Sequence, residues 1–104
     1  MVSTRWTILL QSSLLAVLLA IAGCQSAPVQ EMSDARQAIT VAKEAGAAEY
    51  ASAELKAAED FLTSAQRSLG RGEYTKARDN AMQAKVRALD ALKVSEASQD
   101  DNGN

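Results

Sequence analysis

The chain has 104 residues, 13 acidic and 11 basic side chains, no histidine and one cysteine, with a formal net charge of −2. Imidazole bases and Cys/His zinc sites are therefore excluded, and so is an intrachain disulfide. With acids in excess there is no basic footprint for nucleic acid, and no polybasic patch for anionic lipid.

The first two dozen residues read as an export segment. A short positive start carrying Arg5 leads into Trp6 and Thr7. An apolar run from Ile8 to Ala22 follows, broken by Gln11, Ser12 and Ser13. Spanning a bilayer takes about 20 apolar residues, and the unbroken part, Leu14 to Ala22, is too short for that. The order of charge, apolar run and small residues is that of a bacterial secretory signal. Ile21-Ala22-Gly23-Cys24 resembles the lipobox of bacterial lipoproteins.

That resemblance implies cleavage between Gly23 and Cys24, a diacylglycerol (palmitate-type chains) on the Cys24 sulfur and an N-acyl chain on the new amine. No other cofactor is expected. Cys24 holds the only thiol, and a thiolate is the nucleophile that alkylation needs. Two or more acyl chains anchor stably, at about 0.8 kcal/mol per buried methylene. Gln25 and Ser26 replace the Asp that retains many lipoproteins in the inner membrane, so the expected location is the outer membrane, facing the periplasm of the cell envelope.

After residues 1–23, the sequence divides into a lipidated linker over 24–30, a helical domain over 31–94 and a polar, acidic tail over 95–104 that reads as disordered. The linker holds Pro28, the only proline. A first helix is expected from about Val29 or Met32 to Ala45. Met32, Ala35, Ile39, Ala42 and Gly46 alternate at spacings of three and four, with Ala38 and Ala45 at the stripe's edge and Val41 opposite and exposed. Gly46 suits a helix end. Tyr50 and Ala53 continue the stripe, so one long helix competes with a break, and the break is preferred.

A second helix is expected over 52–69, with Leu55, Ala58, Leu62, Ala65 and Leu69 at coiled-coil-like spacing, widened by Phe61. Lys56 and Asp60 are placed to pair. Gly70-Arg71-Gly72 allows a tight reversal, which makes the next helix an antiparallel neighbour. That third helix, from Glu73 to about Val94, carries an alanine seam: Ala77, Ala81, Ala84, Ala88 and Ala91, between Tyr74 and Leu92. Met82, Val86 and Leu89 form a second stripe. It reads first as core, because a helix packed between two others needs two apolar faces; the alternative is an interface with another copy or a partner helix. The fold class is all-α: a short three-helix bundle, or a helical hairpin plus an N-terminal helix.

Three stretches carry a resemblance to a family. They are Met32 to Ile39, Ala45-Gly46-Ala47-Ala48-Glu49-Tyr50-Ala51 with Glu54 to Glu59, and Leu69-Gly70-Arg71-Gly72-Glu73-Tyr74-Thr75-Lys76-Ala77-Arg78. In this order they resemble bacterial envelope lipoproteins with the domain of unknown function numbered 4398. Members often have proline where this chain has Ser52. The resemblance implies a short helical periplasmic domain without catalytic residues, sometimes joined elsewhere to peptidoglycan-binding modules. The turn from Gly72 to Ala77 also looks like that of a tetratricopeptide repeat, but only one such helix pair is present.

The expected function is that of a membrane-anchored, non-catalytic structural or adaptor module. Its partners would be an envelope protein, the cell wall or a second copy of itself. A small ligand-binding or enzymatic domain is the alternative and would need Tyr50, Tyr74 and several acids to converge on a cavity. Labelling with radioactive palmitate tests the anchor. Label is expected on the wild-type chain and not on Cys24→Ser, and equal labelling of both would contradict lipidation.

Overall fold

The computed structural model describes Thr7 and residues 27–103, so Gly23 and Cys24, the expected cleavage and lipid-attachment site, lie outside the described residues. Within residues 27–103 four helices follow one another: α1 (Val29–Glu44), α2 (Ala47–Tyr50), α3 (Ser52–Gly70) and α4 (Tyr74–Asn102). The fold is all-α. The three long helices form a bundle in which α3 runs antiparallel to α1 and α4. Cross-helix contacts fix these directions: Lys43 meets Glu59, while Glu31 meets Arg78 and Asp34 meets Lys85.

The first helix begins at Pro28, which has no N–H to leave unsatisfied and lies fully buried. The Met32 N–H donates to the Pro28 carbonyl at 3.1 Å. Glu31 in the first turn and Lys43 in the last both complement the helix dipole. Met32, Ala35, Ala38, Ile39 and Ala42 are buried, as the three-four spacing requires, and Val41 is exposed.

The preferred break between the first two long helices is present, and it has two steps. Gly46 adopts φ +88°, a left-handed conformation that ends α1. One short turn of helix, α2, follows, and Ala51 at φ −145° ends that turn before Ser52 opens α3. The break therefore needs no proline at 52. A Cβ on Gly46 would stand 3.1 Å from the Gln99 amide nitrogen and 3.2 Å from the Tyr50 ring, so the corner demands glycine on both conformational and steric grounds.

The reversal between α3 and α4 uses only one of its two glycines in the left-handed region. Gly72 has φ +75°, whereas Gly70 simply completes α3. The Glu73 N–H reaches back to the Ser68 carbonyl at 2.9 Å and the Gly72 N–H to Leu69 at 3.0 Å, which satisfies carbonyls the helix end would leave open.

Helix α4 corrects the reading of the tail. It does not fray near Val94 but continues to Asn102. The seam Ala77, Ala81, Ala84, Ala88 and Ala91 is completed one turn later by Ser95, which is fully buried. A buried hydroxyl costs free energy unless it is bonded, and the Ser95 Oγ donates to the Ala91 carbonyl at 2.7 Å. One turn further, the Gln99 side-chain amide donates to the Ala45 carbonyl at the end of α1. Serine thus continues a packing face that a count of apolar residues loses, and an exposed glutamine ties the helix to the end of α1.

The core is made of small side chains. Among the described residues fifteen hydrophobic side chains are buried, and twelve of them are alanine; Met32, Ile39 and Leu55 are the others. Leu62 and Leu92 pack against the larger cluster, and Leu69 against Met32, Ala65 and Ala81. A core of this kind derives its specificity from close backbone approach, because alanine leaves no room between helix axes for anything larger. Ala88→Leu is therefore expected to cost about 1–3 kcal/mol through overpacking, and Gln83→Leu on the exposed side less than about 0.5 kcal/mol. Urea unfolding followed by circular dichroism measures both.

Candidate interaction surface

The alanine seam lets α4 settle into the groove between α1 and α3 with a single face. It needs no second apolar face, and Met82, Val86 and Leu89 are left 53%, 51% and 45% exposed. The first reading of this stripe, as core, is thereby corrected. A large side chain on the seam would have pushed the helices apart and drawn a second stripe inward. Alanine does neither.

The stripe borders a hollow between α1 and α4. A groove of about 430 Å³ is lined by Glu31, Asp34, Met82, Lys85, Val86 and Leu89. A neighbouring hollow of about 260 Å³ shares Asp34, Lys85 and Leu89 and extends to Gln37, Ala38 and Val41. Together they make one shallow trough with an apolar floor and charged edges. Two ion pairs close it toward α1: Arg78 to Glu31 at 3.2 Å and Lys85 to Asp34 at 3.7 Å. Their side chains stay between one third and one half exposed, so each contributes no more than about 1 kcal/mol. They set the register of α1 on α4 rather than the stability of the bundle.

Along the outer face of α4 the charged side chains pair only in part. Lys76 lies 3.7 Å from Glu73, while Asp79, Arg87, Asp90 and Lys93 take no ion pair among the described residues. On α3, Lys56 and Asp60 do pair, at 3.2 Å. Val41, Asp34 and Lys85 were not legible as parts of one surface, since their meeting depends on the register of two helices remote in sequence.

The residues that an enzymatic reading would need are not gathered. Tyr50 lies beside Gly46 at the end of α1, near Gln99, whereas Tyr74 opens α4 some 25 residues earlier, about 38 Å along the helix. Among the described residues no group of three or more acids, cysteines or histidines is placed to hold a metal ion. No helix among them is long and apolar enough to cross a membrane.

Residues 30–102 match the family described as Domain of unknown function (DUF4398). The chain belongs to this family. The match ends where α4 ends, so the DUF4398 domain includes the last turns of that helix as well as the three stretches that first carried the resemblance. No curated protein matches the chain, and no solved structure does.

Because the stripe supports no other part of the domain, Met82→Lys and Val86→Lys are each expected to leave helicity unchanged and to shift the unfolding free energy by less than about 0.5 kcal/mol. Circular dichroism melts check this; loss of helix in both variants would return the stripe to the core.

Proposed function

We propose that this DUF4398 protein is a lipid-anchored lipoprotein of the bacterial envelope, facing the periplasm from the outer membrane, and that it acts by binding rather than by chemistry. Cys24 carries the anchor, with the signal peptide removed after Gly23. The body is a structural or adaptor module whose binding surface is the outer face of α4.

The observation that carries the reading is the exposure of Met82, Val86 and Leu89 on a bundle whose packing is already complete without them. Scattered surface apolar residues are ordinary, but three in succession along one helical stripe, beside a trough, mark a contact surface. The spacing of four and then three is the pattern by which one helix receives another. The anchor adds a second element. Pro28 is buried at the start of α1, so only Gln25, Ser26 and Ala27 separate the lipidated cysteine from the packed domain. A tether that short keeps the body at the membrane surface and raises its effective concentration toward other molecules held there.

A photo-crosslinking amino acid at position 86 of the full-length chain, activated in living cells, is expected to give a discrete protein adduct in the membrane fraction. The same amino acid at exposed Gln66 on α3 is expected to give none. Absence of any adduct from position 86 would end the reading of α4 as a binding surface, and turnover of a substrate by the purified protein would end its non-catalytic part.

A further inference from the structure

We infer that the occupant of this surface is a second copy of the same chain, packed antiparallel, α4 against α4, about a twofold axis at Val86. The inference rests on the reading of α4 as a binding surface and identifies what it binds.

The argument starts from charge. Asp79 and Lys93 are both exposed and have no ion-pair partner among the described residues. They stand seven residues before and seven residues after Val86. Seven residues are two turns with a drift of only about 20° around the helix, so the acid, the valine and the base share one line along the exposed face. Along this line the helix is apolar in the middle, acidic two turns before it and basic two turns after it, while Asp90, one turn after Val86, stands about 40° to the side away from Met82 and Leu89. Two parallel copies in register would set Asp79 against Asp79 and Lys93 against Lys93. Two antiparallel copies crossing at Val86 set Asp79 of each against Lys93 of the other, twice. An acid and a base on one line, equidistant from its centre, meet each other's counterparts under a twofold rotation, as an isologous interface requires.

The apolar side chains obey the same operation. Met82 and Leu89 lie on the same side of Val86, toward the α1 trough. With Val86 on the axis, residue 89 of one copy lies level with residue 83 of the other. Leu89 is therefore within about one residue's rise, roughly 1.5 Å along the axis, of Met82 of the second copy. Met82 of each copy covers Leu89 of the other, at the mouth of the hollow that Val41 lines. The rotation also places both α1 helices on one side of the pair. Two tethers would then leave from the same face of the dimer, one at each end, and hold it lengthwise along a membrane.

The test uses the full-length chain expressed in bacteria. Val86→Cys, on the axis, is expected to form a reducible homodimer in membranes treated with a mild oxidant. The unsubstituted chain, whose only cysteine is Cys24, and Gln66→Cys should both stay monomeric. Adding Asp79→Lys to Val86→Cys is expected to lower the dimer yield roughly fivefold, because each twofold-related pair becomes a repulsion. Adding Lys93→Asp as well should restore it, which a folding defect could not do. Failure of Val86→Cys to give a homodimer, or a double charge reversal no better than the single one, would overturn the proposal. An adduct from position 86 to a different protein would overturn the second copy as occupant while leaving the binding role of α4 standing; no adduct of either kind would remove both.

Discussion

The close approach of α4 to its two neighbours is the constraint on which the domain depends. Ala77, Ala81, Ala84, Ala88 and Ala91 are all fully buried and repeat at three- and four-residue spacing, so one narrow face of the helix meets both α1 and α3. Helix separation is set by the side chains at the contact. A seam of methyl groups brings the backbones near their limit, and the attraction then comes from dispersion between main chains as much as from large apolar groups. Met32, Ile39 and Leu55 add the few bulky buried contacts.

Such a core is sensitive to registration and weak in hydrophobic content. Burying a large aliphatic side chain contributes about 1.5–3 kcal/mol, and alanine contributes much less. The domain offsets this thin core in two visible ways. Helix α4 is extended by about three further turns beyond its last buried alanine, bringing Ser95 into the seam and Gln99 against the end of α1. Cross-helix ion pairs at Lys43–Glu59, Glu31–Arg78 and Lys85–Asp34 then pin the rotation of each helix against the next. Each pair is weak, but small seams tolerate axial slip, and charges spaced along the edges oppose it.

The same economy explains the exposed stripe. Because alanines alone suffice for the inward face, the bulkier Met82, Val86 and Leu89 have no inward role. A self-association through them would supply the large-side-chain burial that the monomer lacks, and the proposed lipid anchor would favour it by concentrating the chains at a membrane surface. The adaptor reading and the dimer reading therefore share one physical cause: a body that packs fully yet gains little from packing alone has more to gain from contact.

Residue order alone determined the helical class, the break at Gly46, the reversal at Gly72, the alanine seam and the position of the sole thiol. Each is local: a three-four rhythm, a residue without Cβ, or a small-residue site after an apolar run. Tertiary structure decided what rhythm could not. It carried α4 through Ser95 to Asn102, because a serine that bonds its own helix can occupy a buried seam. It turned the Met82–Val86–Leu89 stripe outward, because the distance between helices, not hydrophobicity, settles how many faces a central helix must bury. It also brought Asp34, Val41 and Lys85 together, since the register between helices some fifty residues apart in sequence exists only once they pack.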